Sequence, residues 1–164
     1  ISGAILNAQL ERIDEILDRM RGHKRTLVKA GQEAGLTSIV NNSLDYECGT
    51  HAGFIFETEA RARVFAQHMK ETVGRAFLPI DTGRHVYNRW DPILRKQGAH
   101  HPALDPFNLP ENKALGIEYS EDMCPKSLDI LSRAVLIGMH PDNDQAKVAE
   151  IAEAIRGGAK KIGV

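Results

Sequence analysis

Two short apolar runs, each followed by a helix-type pattern, constrain the fold of this chain most strongly. The first is Ala52–Glu57 and the second is Ala134–Met139. Short apolar runs of this kind are typical of buried strands. A helical pattern follows the first run over Glu59 to about Val73, and another follows the second run after a cap at Asn143 or Asp144. The sequence therefore predicts strands with helices packed against them.

Local signals predict the inward faces and the ends of these helices. Thr58 is a good cap for the first helix, and Gly74 is expected to end it. Gly157-Gly158 is expected to stop the last helix. The predicted inward residues are Val64, Phe65, Met69 and Val73 in the first helix, and Val148, Ile151, Ala152 and Ile155 in the last.

A long amphipathic helix is predicted from Ala4 to about Lys29, where apolar residues recur every three or four positions. This stripe consists of Leu6, Leu10, Ile13, Leu17, Met20 and Leu27. It could pair with another chain or pack on its own domain. Leu36–Asn42 and Phe77–Ile80 read as weaker strands, so the expected fold is α/β, with three to five strands covered by helices on one face.

Composition narrows the class of partner. The 164 residues carry a net charge of −1, so no basic field favours nucleic acid or anionic lipid. No apolar run approaches the roughly 20 residues of a membrane span. The two cysteines, Cys48 and Cys124, are far apart and are interpreted as free thiols of a cytoplasmic protein.

Gly83–Trp90 concentrates side chains that suit a ligand, including the only tryptophan of the chain. Imidazole and amide groups can hydrogen-bond a polyol, aromatic rings can stack on a sugar face, and a guanidinium can clamp an anion. If the stretch is extended, His85 and Tyr87 share one face. A Trp/Tyr core anchor with polar neighbours is the alternative. The candidate substrate-binding residues are Arg84, His85, Tyr87, Asn88 and Trp90.

Other chemistry is not expected from this chain. The adjacent pair His100-His101 lacks the spacing of metal ligands, and no metal site is predicted. Cys124 precedes Pro125 at a predicted helix start, where a buried small residue is the preferred interpretation. The lysines at 70, 96, 113, 126 and 147 lie in surface contexts and none reads as a Schiff-base lysine.

Four parts of the chain form a recognisable order, namely Ala4–Asp14, Gly53–Met69, His85–Trp90, and Cys124–Arg133 with Val135–Pro141. Together they resemble the C-terminal part of the DegT/DnrJ/EryC1/StrS family of sugar aminotransferases, which are fold-type I enzymes that use pyridoxal phosphate. The first resembles the helix that links the large and small domains, and the second a strand and helix of the small domain. The third is similar to a His-Val-Tyr-x-x-Trp pattern, and the fourth to a closing helix and a strand ending in His-Pro.

The resemblance implies a division of roles. Residues 1–30 would form the linking helix and residues 31–164 the small domain of a homodimer. The Schiff-base lysine and most contacts with pyridoxal phosphate would belong to a large domain upstream, so no catalytic or cofactor-binding residue is assigned in this chain. The parent enzyme would transfer an amino group from glutamate or glutamine to a keto or aldehyde group. Its acceptor would be a sugar, a cyclitol or a sugar acid, with an octulosonate-type sugar acid and a nucleotide-linked keto sugar both open.

Two hypotheses follow. The first is that the chain is a fragment of such an enzyme, since its sequence opens at Ile1-Ser2-Gly3-Ala4 within a helical pattern. Without the large domain, this fragment is expected to be inactive alone. The second is a non-catalytic α/β module for binding or dimerisation, in which the apolar stripe of the first helix is the partner surface.

Overall fold

A computed structural model describes residues 2–43 and 45–164. This part of the chain contains seven α-helices and a three-stranded sheet, which confirms the predicted α/β class. The chain divides into two compact units, one comprising Ile1–Leu78 with Arg133–Val164 and the other Pro79–Ser132. The elements are α1 (Ser2–Leu10), α2 (Ile13–Glu33), β1 (Thr37–Ser38), β2 (His51–Ile55), α3 (Glu59–Val73), α4 (Asp91–Leu94), α5 (Pro110–Ala114), α6 (Pro125–Arg133), β3 (Ala134–Gly138) and α7 (Gln145–Lys161).

The sheet is antiparallel, in the order β1-β2-β3. Phe54 of β2 lies opposite Val135 of β3, and both side chains are fully buried. The strand expected over Leu36–Asn42 shortens to two residues, and the edge strand expected at Phe77–Ile80 reduces to one bridge between Phe77 and Leu136. The sheet therefore has the smallest of the expected sizes.

Phe54 is the centre of the core that joins the sheet to its helices. Its ring lies against the backbone of α2 at Gly31, and its centroid is 6.1 Å from that of Phe65 in α3. Since successive side chains of a strand point to opposite faces, Ala52 and Phe54 point to the same side of β2. Helices α2 and α3 thus cover that face, as the sequence predicts.

The bounds of α3 match the predicted ones because both ends carry local signals. The Thr58 side chain accepts a hydrogen bond from the Arg61 N–H, and Gly74 ends the helix with a φ of 71°, which favours glycine. Phe65, Met69 and Val73 are buried as expected. Val64 is 43% exposed, so its predicted inward orientation is wrong.

The last helix does not stop at Gly157-Gly158, as the sequence predicts, but continues to Lys161. Both glycines lie where α7 packs on α3. A Cβ at Gly158 would be 2.8 Å from two ring carbons of Phe65, and one at Gly157 would be 3.1 Å from His68 Nε2. The glycines therefore permit close helix packing and do not end the helix. The cap is Asp144, which accepts a hydrogen bond from the Lys147 N–H.

The predicted N-terminal helix is interrupted at Glu11 and Arg12, and α2 extends four residues beyond the predicted end at Lys29. The apolar stripe is buried only in α2, at Met20 and Leu27. None of the residues described in α1 is buried, and Leu6 is 63% exposed. Within the part of the chain that the structure covers, no helix is both long and apolar enough to cross a membrane.

The unit Pro79–Ser132 is built mainly of short turns. Five 3₁₀ turns precede or separate α4 and α5, and two of them interrupt the long loop predicted over Gly98–Pro110. Asp105 is buried there, and its Oδ1 accepts hydrogen bonds from the Gly98 and Phe107 N–H groups at 3.2 and 3.0 Å. Leu128 and Leu131 of α6, predicted to face inward, are half-buried.

Candidate functional site

The stretch Gly83–Trp90 is not extended. It forms two consecutive 3₁₀ turns, Gly83–His85 and Tyr87–Arg89, which are joined by Val86 in an extended conformation. The Val86 N–H donates to the Gly83 carbonyl and the Trp90 N–H to the Tyr87 carbonyl, each at 3.0 Å. The shared face expected for His85 and Tyr87 in a strand therefore does not exist.

A shallow, open cleft of about 560 Å³ lies around Trp90, between these turns and the start of α4. We call it the Trp90 cleft. Trp90 is 45% exposed, and its indole Nε1–H donates to the Arg84 carbonyl at 2.6 Å. Because this bond occupies the only polar atom of the ring, the indole can offer a ligand only its apolar surface. The cleft is lined by Arg84, Arg89, Trp90, Asp91, Pro92 and Ile93.

The two arginines give the cleft its charge. Arg84 and Arg89 are exposed, and neither guanidinium has an ion-pair or hydrogen-bond partner among the described residues. The one carboxylate of the lining, on Asp91, lies 4.0 Å from Arg95. Guanidinium groups bind carboxylates and phosphates through two parallel hydrogen bonds, and indole rings stack on planar or sugar faces. The arrangement suits an anionic ring compound.

Tyr87 has a different set of contacts. Its hydroxyl donates to the Glu121 carbonyl at 3.0 Å and accepts from the Cys124 N–H at 2.9 Å. The side chain thus ties its turn to the segment that leads into α6. Both hydrogen-bonding functions of the hydroxyl are used within the protein, and Tyr87 does not line the Trp90 cleft.

The remaining predicted site residues are placed separately from the cleft. His85 is exposed and does not line it. Asn88 is half-buried, and its Oδ1 is buried without a hydrogen-bond partner among the described residues. Of the five residues predicted, the cleft brings together Arg84 and Trp90. It adds Arg89, which directly precedes Trp90 and was not among the predicted residues.

Among residues 2–43 and 45–164, the lysines are exposed or half-buried, with one exception. Lys24 is the one buried lysine of that part of the chain, and its ammonium group forms an ion pair with the Glu47 carboxylate. A lysine that attacks an aldehyde needs a free, neutral amine. Lys24 therefore does not suit a Schiff base with pyridoxal phosphate.

Metal binding has no support in the geometry. Among the described residues, no three or more His, Cys, Asp or Glu side chains are grouped as a metal site would require.

In comparisons of the sequence with known proteins, no family model matches the chain and no curated protein matches it.

Proposed function

We propose that this chain is the C-terminal, small-domain part of a pyridoxal-phosphate-dependent sugar aminotransferase. The observation that carries the proposal is the order and spacing of the four parts that resemble the DegT/DnrJ/EryC1/StrS family. A long N-terminal helical region, a small antiparallel sheet and covering helices are compatible with such a domain. The enzyme would be a cytoplasmic homodimer, and most contacts with the cofactor would belong to a large domain outside these 164 residues.

The role of this chain in the proposal is to hold the amino acceptor, a keto or aldehyde form of a sugar, sugar acid or cyclitol. Arg84 and Arg89 bind an anionic group of the acceptor, and Trp90 stacks on its ring. Neither guanidinium has a partner among the described residues, so both can bind without first breaking an ion pair to residues 2–43 or 45–164. The Tyr87 hydroxyl keeps the turns in place through its bonds to Glu121 and Cys124.

Amino transfer from L-glutamate tests this function. The protein that carries this chain, supplied with pyridoxal phosphate and an anionic keto sugar, is expected to form 2-oxoglutarate. Arg84→Gln should raise KM for the anionic sugar about tenfold, since a charge-assisted hydrogen bond contributes about 1.5 kcal/mol or more. It should change kcat by less than about twofold, because the bond stabilises the bound substrate and the transition state equally.

Arg95→Gln is the matched control, because Arg95 is an exposed arginine that follows α4 and does not line the Trp90 cleft. The visible absorbance of the bound cofactor should be the same in both variants. Loss of that absorbance in Arg84→Gln would assign Arg84 to the cofactor. Absence of glutamate-dependent transfer to every keto sugar tried would contradict the proposal as a whole.

A dimerisation module is the second candidate, and the exposed apolar surface of α1 favours it. Leu6 and Leu10 of the apolar stripe are each more than half exposed, and so is the neighbouring Ile5. A stripe of this kind is stable in water when a partner covers it. The module and the aminotransferase are compatible, since the same helix could join two copies of the enzyme.

Leu6→Asp is expected to weaken a dimer formed through α1 at least tenfold, because it places a charge in an apolar interface. Asn7→Asp, which introduces the same charge at the neighbouring position, should have little effect. Light scattering coupled to gel filtration measures the dissociation midpoint of both variants. A wild-type protein that is monomeric at all concentrations, or equal effects of the two substitutions, would rule out this surface.

A further inference from the structure

Besides the Trp90 cleft, there is a cavity of about 210 Å³ in the unit formed by Ile1–Leu78 with Arg133–Val164. We call it the Lys24 cavity. It lies beside the first residues of β2, which have partners in β3 but none in β1, since β1 ends at Ser38. Its polar groups come from Lys24, Asn41, Glu47, Thr50 and His51. An apolar wall is formed by Val28, Ile39 and Leu136.

The segment that carries Glu47 is fixed on α2. The Arg21 Nε–H donates to the Glu47 carbonyl at 2.6 Å. Gly49 has a φ of 67°, and a Cβ there would lie 2.8 Å from the backbone nitrogen of Arg21. Since only glycine allows this approach without strain, the loop is held against the helix. The Glu47 carboxylate is thereby held at the Lys24 ammonium.

The ammonium of Lys24 has capacity for further hydrogen bonds. Its side chain is 7% exposed, and Glu47 is its one acceptor among the described residues. An ammonium has three N–H donors, and a buried donor without an acceptor is unfavourable by about 1–3 kcal/mol. Two donors are thus left for oxygen atoms of water or of a ligand in the cavity.

Charge decides what kind of occupant fits. Lys24 and Glu47 neutralise each other, and burial, followed by the nearby Lys24 charge, lowers the pKa of His51 so that its ring is neutral at pH 7. The Thr50 hydroxyl lies 3.0 Å from His51 Nδ1. A simple anion or cation would bring an uncompensated charge into this partly buried space, whereas a zwitterion would not.

We propose that the Lys24 cavity binds a small zwitterionic α-amino acid with a short apolar side chain. The carboxylate of the ligand accepts from Lys24, its ammonium group donates to Glu47, and its alkyl group lies on Val28, Ile39 and Leu136. The assignment does not depend on the aminotransferase proposal, because all the residues involved belong to the unit that does not contain the Trp90 cleft.

NMR titration of the purified protein with L-alanine tests this site, with the His51 Cε1–H signal as the reporter. Alanine is expected to shift this signal saturably, with a Kd of about 1 mM. Acetate and ethylamine, which each carry one of the two charges, should bind at least tenfold more weakly. No saturable shift with alanine, or equal binding of acetate and alanine, would overturn the proposal.

Two variants locate the binding. Lys24→Met should weaken alanine binding at least tenfold, while Lys29→Met, at an exposed position of the same helix, should leave it unchanged. Val28→Phe, which fills the apolar side of the cavity, provides the same test if Lys24→Met does not fold. Unchanged alanine binding in Val28→Phe would show that the ligand binds elsewhere.

Discussion

Gly31→Ala is expected to lower the free energy of unfolding by about 2–3 kcal/mol. A Cβ at Gly31 would lie 2.2 and 2.3 Å from two ring carbons of Phe54, well inside van der Waals contact. The Phe54 ring is fully buried and packs against Phe65, so it has no free space to move into. The better helix propensity of alanine offsets only about 1 kcal/mol of this cost.

Gly22→Ala in the same helix is the matched control, because the added methyl group would meet no heavy atom within 4 Å beyond its chain neighbours and the backbone of its own helix. It should stabilise the protein by up to about 1 kcal/mol. Urea unfolding measures both variants. In Gly31→Ala/Phe54→Leu the clash is removed, so the double variant should lose less stability than the sum of the single variants. A Gly31→Ala protein as stable as the wild type would contradict the packing of α2 on β2.

Glu47→Gln is expected to destabilise the protein by about 3 kcal/mol, because it leaves the buried Lys24 charge without a counter-charge. Lys24 is one of the few buried charged side chains of the described residues. Removing one partner of a buried ion pair is more harmful than removing both. The Lys24→Met/Glu47→Gln variant should therefore recover most of the lost stability.

Glu33→Gln is the control, because it removes a carboxylate that is not paired with a buried charge. Glu33 forms exposed pairs with Lys29 at 3.9 Å and with Arg156 at 3.6 Å, and such pairs contribute less than about 1 kcal/mol each. Chemical unfolding at pH 7 compares all three variants. Equal small effects of Glu47→Gln and Glu33→Gln would show that Lys24 is accessible to water.

Local signals made part of the fold predictable. Thr58 and Gly74 determine both ends of α3 through a cap and a left-handed residue, and the sequence contains both signals directly. The end of α7 was predicted wrongly, because the packing of Gly157 and Gly158 on α3 is a tertiary contact that no local pattern reveals. The interruption between α1 and α2 has no local signal either, since the apolar stripe runs through it without a break.

The Trp90 cleft and the Lys24 cavity were less predictable from the sequence than the fold. The residue types of Gly83–Trp90 predicted a ligand-facing stretch, and the cleft does contain Arg84 and Trp90. Periodicity could not reveal that the backbone forms 3₁₀ turns, which separate His85 and Tyr87 from the cleft. Lys24 was missed because it reads as one more charged residue of a long helix. Its burial depends on Glu47, which lies 23 positions further along the chain.

Fluorescence of Trp90, the only tryptophan of the chain, tests most directly whether the Trp90 cleft receives an anionic sugar. Titration with D-glucuronate should change the emission saturably, and D-glucose should have a much weaker effect. In Arg84→Gln/Arg89→Gln the affinity for glucuronate should fall at least tenfold, while Arg95→Gln should bind as the wild type does. Equal responses to the two sugars, or unchanged affinity in the double variant, would contradict the assignment of the cleft.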